Sequence, residues 1–110
     1  MFADNQEFVR QVKSELFADK IYVYTTKGDI IELPKGSTAI DFAYKIHSDI
    51  GNTMVGAVVN DKPVDVDYVL QNKDRVRIIT DILSYGPREE WIDKVKTTKA
   101  KRKIKEFNRK

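Results

Sequence analysis

The sequence predicts an α+β fold in which one helix packs across one mixed β-sheet, and three observations support it. Residues 20–33 alternate between two faces around a glycine turn, residues 38–50 carry one apolar stripe at helical spacing, and residues 54–80 contain three short β-rich segments. The resulting order is strand, strand, helix, strand, strand, strand. A single helix laid across a single sheet is the economical way to bury these apolar faces.

The first element is a hairpin over residues 20–33. Its first strand, K-I-Y-V-Y-T-T, is rich in β-branched and aromatic residues whose side chains alternate between two faces. Lys27-Gly28-Asp29 is the predicted turn, because Gly28 can adopt a positive φ. Pro34 has no amide to donate to a neighbouring strand, so we expect the return strand to end there.

The second element is a helix predicted over residues 38–50. Ser37 or Thr38 supplies the capping oxygen, and Asp41 lies in the first turn, where the helix dipole favours a carboxylate. Gly51 follows the apolar stripe, and we expect it to end the helix in a left-handed conformation.

Three shorter strands complete the sheet. Residues 54–59 predict a buried strand, Asn60-Asp61 a turn, residues 62–64 a short return strand and residues 75–80 the last strand. This order is that of the β-grasp, or ubiquitin-like, fold. The predicted core consists of Ile21, Val23, Ile31, Ile40, Ala43, Ile46, Val58, Leu70, Val76 and Ile78.

Helical segments are predicted on both sides of this domain. Residues 4–17 form an amphipathic pattern, with Asp4 and Glu7 spaced as in a capping box. We therefore divide the chain into an N-terminal linker helix at residues 1–19, a β-grasp domain at residues 20–82 and a basic helical extension at residues 83–110.

The extension contains two predicted helices. Pro87 fits the first position of a helix, and Trp91 and Val95 belong to its small apolar face. Thr97-Thr98 interrupts this pattern and can cap a second helix. The second helix combines a narrow apolar stripe with a broad cationic surface, whose lysines and arginine are Lys99, Lys101, Arg102, Lys103 and Lys105.

The net charge of +3 conceals an asymmetry along the chain. Residues 1–86 hold 10 Lys/Arg and 13 Asp/Glu, a balance of −3, whereas residues 87–110 hold 10 Lys/Arg and 4 Asp/Glu, a balance of +6. A near-neutral domain with a basic tail suggests an acidic partner such as RNA. The alternative is a helix whose charged face is simply solvated within a longer protein.

Several classes of function are excluded or disfavoured. The chain has no cysteine and one histidine, so disulfides and thiolate metal sites are excluded, and we expect no metal and no cofactor. No sequence motif for nucleophilic or phosphate-loop chemistry occurs, so we expect that this polypeptide is not an enzyme by itself. No apolar run of 18 residues occurs, so no membrane-spanning helix is expected. Acidic residues among the first 20 positions argue against a secretory or transit peptide.

The stretch I-Y-V-Y-T-T-K-G-D-I-I-E-L-P-K-G-S-T-A-I-D-F-A-Y-K-I-H-S-D-I-G resembles the TGS domain, a ubiquitin-like module of threonyl-tRNA synthetases, certain GTPases and long RelA/SpoT-type (p)ppGpp synthetase/hydrolases. The motifs are K-G-D, L-P-x-G-S-T and D-F-A-Y-x-I-H. The flanking E-L-F-A-D-K and G-P-R-E-E-W stretches look like the segments around TGS in the RelA/SpoT family. A TGS domain from a synthetase or a GTPase is the lesser alternative.

The resemblance implies a cytoplasmic regulatory domain of the stringent response that holds the CCA 3′ end of uncharged tRNA on the ribosome. His47 matches the family's contact to that end, and the residues expected to bind tRNA with it are Lys45, Ser48, Gly51 and Asn52. The cations of the second C-terminal helix are then expected to contact the RNA or ribosome backbone. From its position alone, His47 equally fits a structural residue that caps the helix.

A protein-interaction module is the alternative function, because ubiquitin-like sheets offer an exposed face and edge to partners. The resemblance implies two candidate partners, which are acyl carrier protein and the catalytic domains of the same enzyme. Acyl carrier protein is acidic and would use the same basic surfaces.

Overall fold

A computed structural model describes residues 19–109 of the chain. The helix predicted over residues 4–17 lies outside the described residues.

The predicted hairpin is confirmed. Strands β1 (Lys20–Tyr24) and β2 (Ile30–Pro34) pair antiparallel, and β2 ends at the proline as expected. The amide of Thr25 donates to the carbonyl of Asp29 at 2.9 Å, which closes the turn. Gly28 has a φ of +90°, the left-handed conformation that the turn requires.

The remaining strands form an antiparallel trio in the order β4-β3-β5, made of β3 (Met54–Val59), β4 (Lys62–Val64) and β5 (Val76–Thr80). A parallel bridge between Tyr24 and Arg75 joins β1 to the start of β5. The strands therefore follow one another in the order β2-β1-β5-β3-β4. This is a mixed sheet with the β-grasp topology, as predicted.

The prediction of a single helix across the sheet is wrong in one respect, because the structure has two helices there. Helix α1 (Ala39–Ile46) and helix α2 (Ser48–Asn52) are separated by His47, whose φ of −168° and ψ of 146° are those of extended backbone. Gly51 does not end a helix in a left-handed conformation, because it lies inside α2. It is buried there, and a Cβ at this position would overlap the ring of Tyr44.

The two C-terminal helices are present with one difference. Helix α3 (Thr98–Asn108) is capped by Thr97, whose side chain accepts a hydrogen bond from the amide of Ala100 at 3.2 Å. The first segment is a 3₁₀ helix (Glu89–Lys94) that begins two residues after Pro87. It ends before Val95, whose backbone is extended. Helical segments this short readily adopt the 3₁₀ conformation, which is tighter than the α-helix.

The core is divided into two clusters. One lies between β1, β2, β5 and α1, and it buries the predicted core residues Ile21, Val23, Leu70 and Val76. The other joins α1 to the C-terminal helices through Trp91, Ala100 and Ile104. The predicted core residues Ile40 and Ala43 are buried in this second cluster. The basic extension therefore shares a hydrophobic core with the β-grasp domain.

Two predicted core residues are placed elsewhere. Ile46 is 41% exposed, because it is the last residue of α1 and lies beyond the packed turns. Val58 is only partly buried, because Ala57 and Val59 point to the core from β3 and the residue between them faces away. Ile31 and Ile78 are partly buried against the core.

Candidate nucleic-acid interface

His47 lies at the junction between α1 and α2, and its side chain is 65% exposed. Its amide donates to the carbonyl of Ala43 at 3.1 Å. Its carbonyl accepts from the amides of Ile50 and Gly51 at 3.1 and 3.3 Å. Hydrogen bonds to both helices therefore fix the backbone of His47, while its ring is largely exposed to solvent.

The imidazole caps the second of these helices. Its Nδ1 accepts a hydrogen bond from the amide of Asp49 at 3.0 Å. A neutral ring whose Nδ1 is an acceptor carries its proton on Nε2, so this N–H is a hydrogen-bond donor. The Asp49 carboxylate lies 3.6 Å from the same Nδ1.

The neighbouring predicted tRNA-binding residues differ in exposure. Lys45 is exposed, whereas Ser48 and Asn52 are half-buried and Gly51 is buried. The side-chain carbonyl of Asn52 accepts a hydrogen bond from the hydroxyl of Tyr44 at 2.9 Å. Burial raises the pKa of Tyr44, so this hydroxyl keeps its proton and remains a donor. His47 and Lys45 are therefore the two most accessible members of the predicted set.

The predicted cationic surface lies on α3. Lys99, Arg102 and Lys105 are exposed, while Lys101 and Lys103 are half-buried. Lys103 pairs with Glu106 at 3.5 Å. The residues that line one shallow depression on this face are Thr98, Lys99, Lys101, Arg102, Lys105, Glu106 and Arg109. Helix α3 and Arg109, the residue that follows it, therefore present five cations and one carboxylate around this depression, and Lys103 does not line it.

The opposite side of α3 is apolar and packed. Ala100 and Ile104 are fully buried in the cluster that also contains Ile40 and Tyr44. Residues four positions apart lie on the same side of a helix, so this stripe faces the domain and the lysines face outward. Helix α3 contacts both α1 and α2, the two helices that His47 connects.

A buried carboxylate, Asp41, ties α3 to α1. Its side chain is 1% exposed and accepts from the amides of Lys96 and Thr97 at 2.9 and 3.0 Å. It also accepts from the Thr97 hydroxyl at 2.9 Å and the Thr38 amide at 2.8 Å. From its place in the first turn of the helix, this residue was expected only to interact with the helix dipole. The available signal was a carboxylate placed between Ile40 and Phe42 in an apolar helix.

A groove of about 260 Å³ brings the two predicted sets of cations together. Lys45 of α1 and Lys99 of α3 line it with Lys20 of β1, and Asp41 forms part of its wall. Glu32 is also in the lining, where it accepts a hydrogen bond from the Tyr22 hydroxyl at 3.1 Å. This hydrogen bond and the adjacent negative charge raise the pKa of Tyr22. His47 does not line the groove.

Residues 19–109 contain neither a metal site nor a membrane-spanning helix. No group of three or more histidine and acidic side chains in this part of the chain is arranged to hold a metal ion. Nor does this range contain a helix with the length and apolar composition needed to cross a lipid bilayer.

Comparison with known proteins identifies the family. The family model described as "TGS domain" matches residues 21–80. A GTP pyrophosphokinase from Myxococcus xanthus is 45% identical over 104 residues, which is 94% of this chain and 14% of that protein. A guanosine-3′,5′-bis(diphosphate) 3′-pyrophosphohydrolase from Haemophilus influenzae is 48% identical over 101 residues, which is 92% of this chain and 15% of that protein. The chain thus spans about a seventh of the length of these relatives.

A solved structure shares the fold. A GTP binding protein from Pyrococcus horikoshii OT3 superposes with a TM-score of 0.55 at 29% identity, over 69% of this chain and 25% of that one. The likeness to the pyrophosphokinase and pyrophosphohydrolase extends further along the chain, into both flanks of the domain. The chain therefore belongs to the TGS domain family, and over nearly its whole length it is similar in sequence to the RelA/SpoT-type members.

Proposed function

We propose that this chain is the non-catalytic regulatory part of a (p)ppGpp synthetase/hydrolase, and that it senses the CCA 3′ end of uncharged tRNA on the ribosome. One observation carries the proposal. The His47 ring is exposed, its orientation is set by the Asp49 amide, and within residues 19–109 no hydrogen-bond partner reaches its Nε2.

The chemistry of the ring suits a single-stranded RNA end. Such ends are recognised by stacking on histidine or aromatic planes and by hydrogen bonds to their 2′- and 3′-hydroxyls. The ring of His47 offers a plane and an Nε2–H donor that is held in one direction by the bond at Nδ1. An aminoacyl ester on the terminal ribose would add bulk at this contact, so the site would favour uncharged tRNA.

The charge distribution supports the same partner. Lys45 lies two residues from His47, and the cationic face of α3 lies on a helix that packs against α1 and α2. Cations at these positions attract phosphates from any RNA sequence, whereas the ring would read the terminus. The proposal places the protein in the cytoplasm, where ribosomes and tRNA are found.

The experiment must separate the ring's capping role from its RNA contact. His47→Ala removes both, whereas His47→Asn keeps a side chain that caps helices well. In the full-length enzyme on ribosomes, both variants should abolish (p)ppGpp synthesis that depends on uncharged tRNA. If uncharged tRNA activates the His47→Asn enzyme as strongly as the wild type, the proposal is contradicted, because helix capping would then be the only role of this residue.

A second candidate function, a protein-interaction module, is favoured by one surface feature. Ile82 and Leu83 are 89% and 84% exposed, and Tyr85 is fully exposed. The loop that carries them is held in shape by Asp81, which accepts from the amides of Leu83 and Ser84 at 2.9 Å each. An ordered loop with three solvated apolar side chains suits a protein partner.

Acyl carrier protein and the catalytic domains of the same enzyme are the two candidates for that partner. Capture experiments with the chain can distinguish them from RNA. Retention of acyl carrier protein without tRNA, lost in a Leu83→Ser/Tyr85→Ser variant, would support the interaction module. Retention of tRNA alone, unaffected by the same variant, would exclude this loop from the function.

A further inference from the structure

We infer that Asp41 is a positioning residue, which holds the basic helix α3 beside α1 so that Lys45 and Lys99 form one continuous phosphate-binding groove. The ligand class is the single-stranded RNA immediately preceding the 3′ end. The inference rests on the proposed function, because it assumes that a strand end meets His47 at the end of α1.

The carboxylate of Asp41 is surrounded by hydrogen-bond donors. Burying a carboxylate is costly unless it is paired or hydrogen-bonded. Two amides and one hydroxyl that donate to it come from Lys96 and Thr97, which lie 55 and 56 residues after Asp41 in the sequence. The negative charge is therefore directed into the joint between two helices and away from solvent.

Thr97 has two roles at this joint. Its hydroxyl donates to Asp41 at 2.9 Å, and the same oxygen accepts from the amide of Ala100 at 3.2 Å. The residue that starts α3 is thus the residue that binds the carboxylate of α1. This arrangement fixes where α3 begins, whereas Ala100 and Ile104 supply apolar contacts that are less directional.

The joint between Asp41 and Thr97 is part of the groove lining. Lys45 lies one helical turn after Asp41 on the same side of α1, and Lys99 lies two residues after Thr97. Both lysines line the same groove. The carboxylate and the hydroxyl therefore set the distance between the two cations, and beyond Lys99 the depression on α3 continues the cationic surface.

The test compares Thr97→Val with Thr97→Ser in the 110-residue chain. The valine removes the hydroxyl without a change in charge, and the serine retains it. Binding of a short single-stranded RNA ending in CCA is measured over a range of salt concentrations, at a temperature where circular dichroism shows each variant folded. For a single strand, each lost phosphate contact lowers the magnitude of the slope of log affinity against log salt by about 0.7.

We expect Thr97→Val to lower that magnitude by one or more such steps and Thr97→Ser to retain the wild-type slope. Asp41→Asn, which alters the hydrogen bonds of the joint from the α1 side, should lower the magnitude of the slope as Thr97→Val does. Unchanged slopes in both Thr97→Val and Asp41→Asn would overturn the inference, even if the thermal stability of these variants falls. A purely structural role of Asp41 would change the stability of the chain without changing the slope.

A second readout follows the geometry directly. Because the chain has no cysteine, spin labels can be attached at Lys45→Cys and Lys101→Cys without background. The distance distribution should be narrow in the otherwise unaltered chain and broaden in Thr97→Val but not in Thr97→Ser. A distribution that stays narrow in Thr97→Val would overturn the positioning role.

Failure of the inference is separable from failure of the proposed function. If His47→Asn weakens RNA binding while the Asp41 and Thr97 variants keep the wild-type slope, the proposed function stands and the inference falls. If the unaltered chain does not bind the RNA at all, the inference falls, whereas the proposed function is decided by (p)ppGpp synthesis of the full-length enzyme on ribosomes.

Discussion

The ring of Tyr44 packs directly on the backbone of Gly51, so closely that a Cβ on Gly51 would overlap it. Gly51→Ala should therefore lower the free energy of unfolding by about 1–3 kcal/mol, the usual cost of overpacking a core. Urea unfolding monitored by circular dichroism measures this change. Gly28→Ala is a poor control because of its positive φ, whereas Gly56→Ala has ordinary contacts and should cost less. Equal losses at Gly51 and Gly56 would contradict the packing described.

The same tyrosine predicts a loss of stability in alkali. Burial raises the pKa of Tyr44, so the folded state holds a proton that the unfolded state loses above about pH 10. Its contribution is fully present below that pH and is lost as the pH rises through the folded-state pKa. Tyr44→Phe should flatten the decrease in stability above pH 10, and Tyr85→Phe, at an exposed position, should not. Identical profiles for both variants would argue against a buried phenol.

The capping role of His47 predicts a different pattern of stability. His47→Ala leaves the amide of Asp49 without its acceptor and should cost about 1 kcal/mol, the typical value for a lost cap. His47→Asn should cost much less. Lys45→Ala, which removes an exposed neighbour, serves as the control and should leave the midpoint of unfolding nearly unchanged. An alanine variant as stable as wild type would show that the ring does not cap α2.

The shared core predicts that the C-terminal helix stabilises the whole domain. Ile104 is fully buried on α3, whereas Ile46 is 41% exposed at the end of α1. Ile104→Ala should destabilise the chain by about 2–5 kcal/mol, and Ile46→Ala by at most about 1 kcal/mol. Both are read from the midpoint and slope of urea unfolding. A separate early transition in Ile104→Ala, with the main transition unchanged, would show that α3 unfolds independently of the sheet.

The sheet was predictable because its signals are local. The alternation in K-I-Y-V-Y-T-T sets which side chains of β1 face the core, and Gly28 marks the turn by its freedom of φ. Asn60 and Asp61 likewise take positive φ values of 52° and 69°, as expected of a turn pair between antiparallel strands. Such features depend on residues within a few positions of each other, so the sequence pattern specifies them.

The break between α1 and α2 was not predictable on the same grounds. The apolar stripe continues through it, and imidazole is not among the side chains that commonly cap helices. His47 caps α2 because its own backbone is extended, and a periodic pattern does not reveal that conformation. The misassignment of Gly51 followed from this, because a glycine after an apparently continuous stripe is typical of a helix end.

The joint between Asp41 and Thr97 lay beyond sequence reasoning for another reason. Its two sides are 56 residues apart, and nothing near either residue indicates the other. The cations of α3 were predictable as a set, since their spacing opposite an apolar stripe is a local property. The position of Lys99 beside Lys45 in one groove depends on the packing of α3 against α1, which local sequence patterns do not specify.

The most direct test concerns discrimination between charged and uncharged tRNA by the full-length protein on ribosomes. Synthesis of (p)ppGpp is measured with deacylated tRNA and with a non-hydrolysable aminoacyl-tRNA analogue, for wild type and for His47→Asn. We predict strong activation of the wild type by deacylated tRNA alone and no difference between the two tRNAs in the variant. An undiminished preference for deacylated tRNA in His47→Asn would contradict the assignment of His47 as the contact to the RNA end.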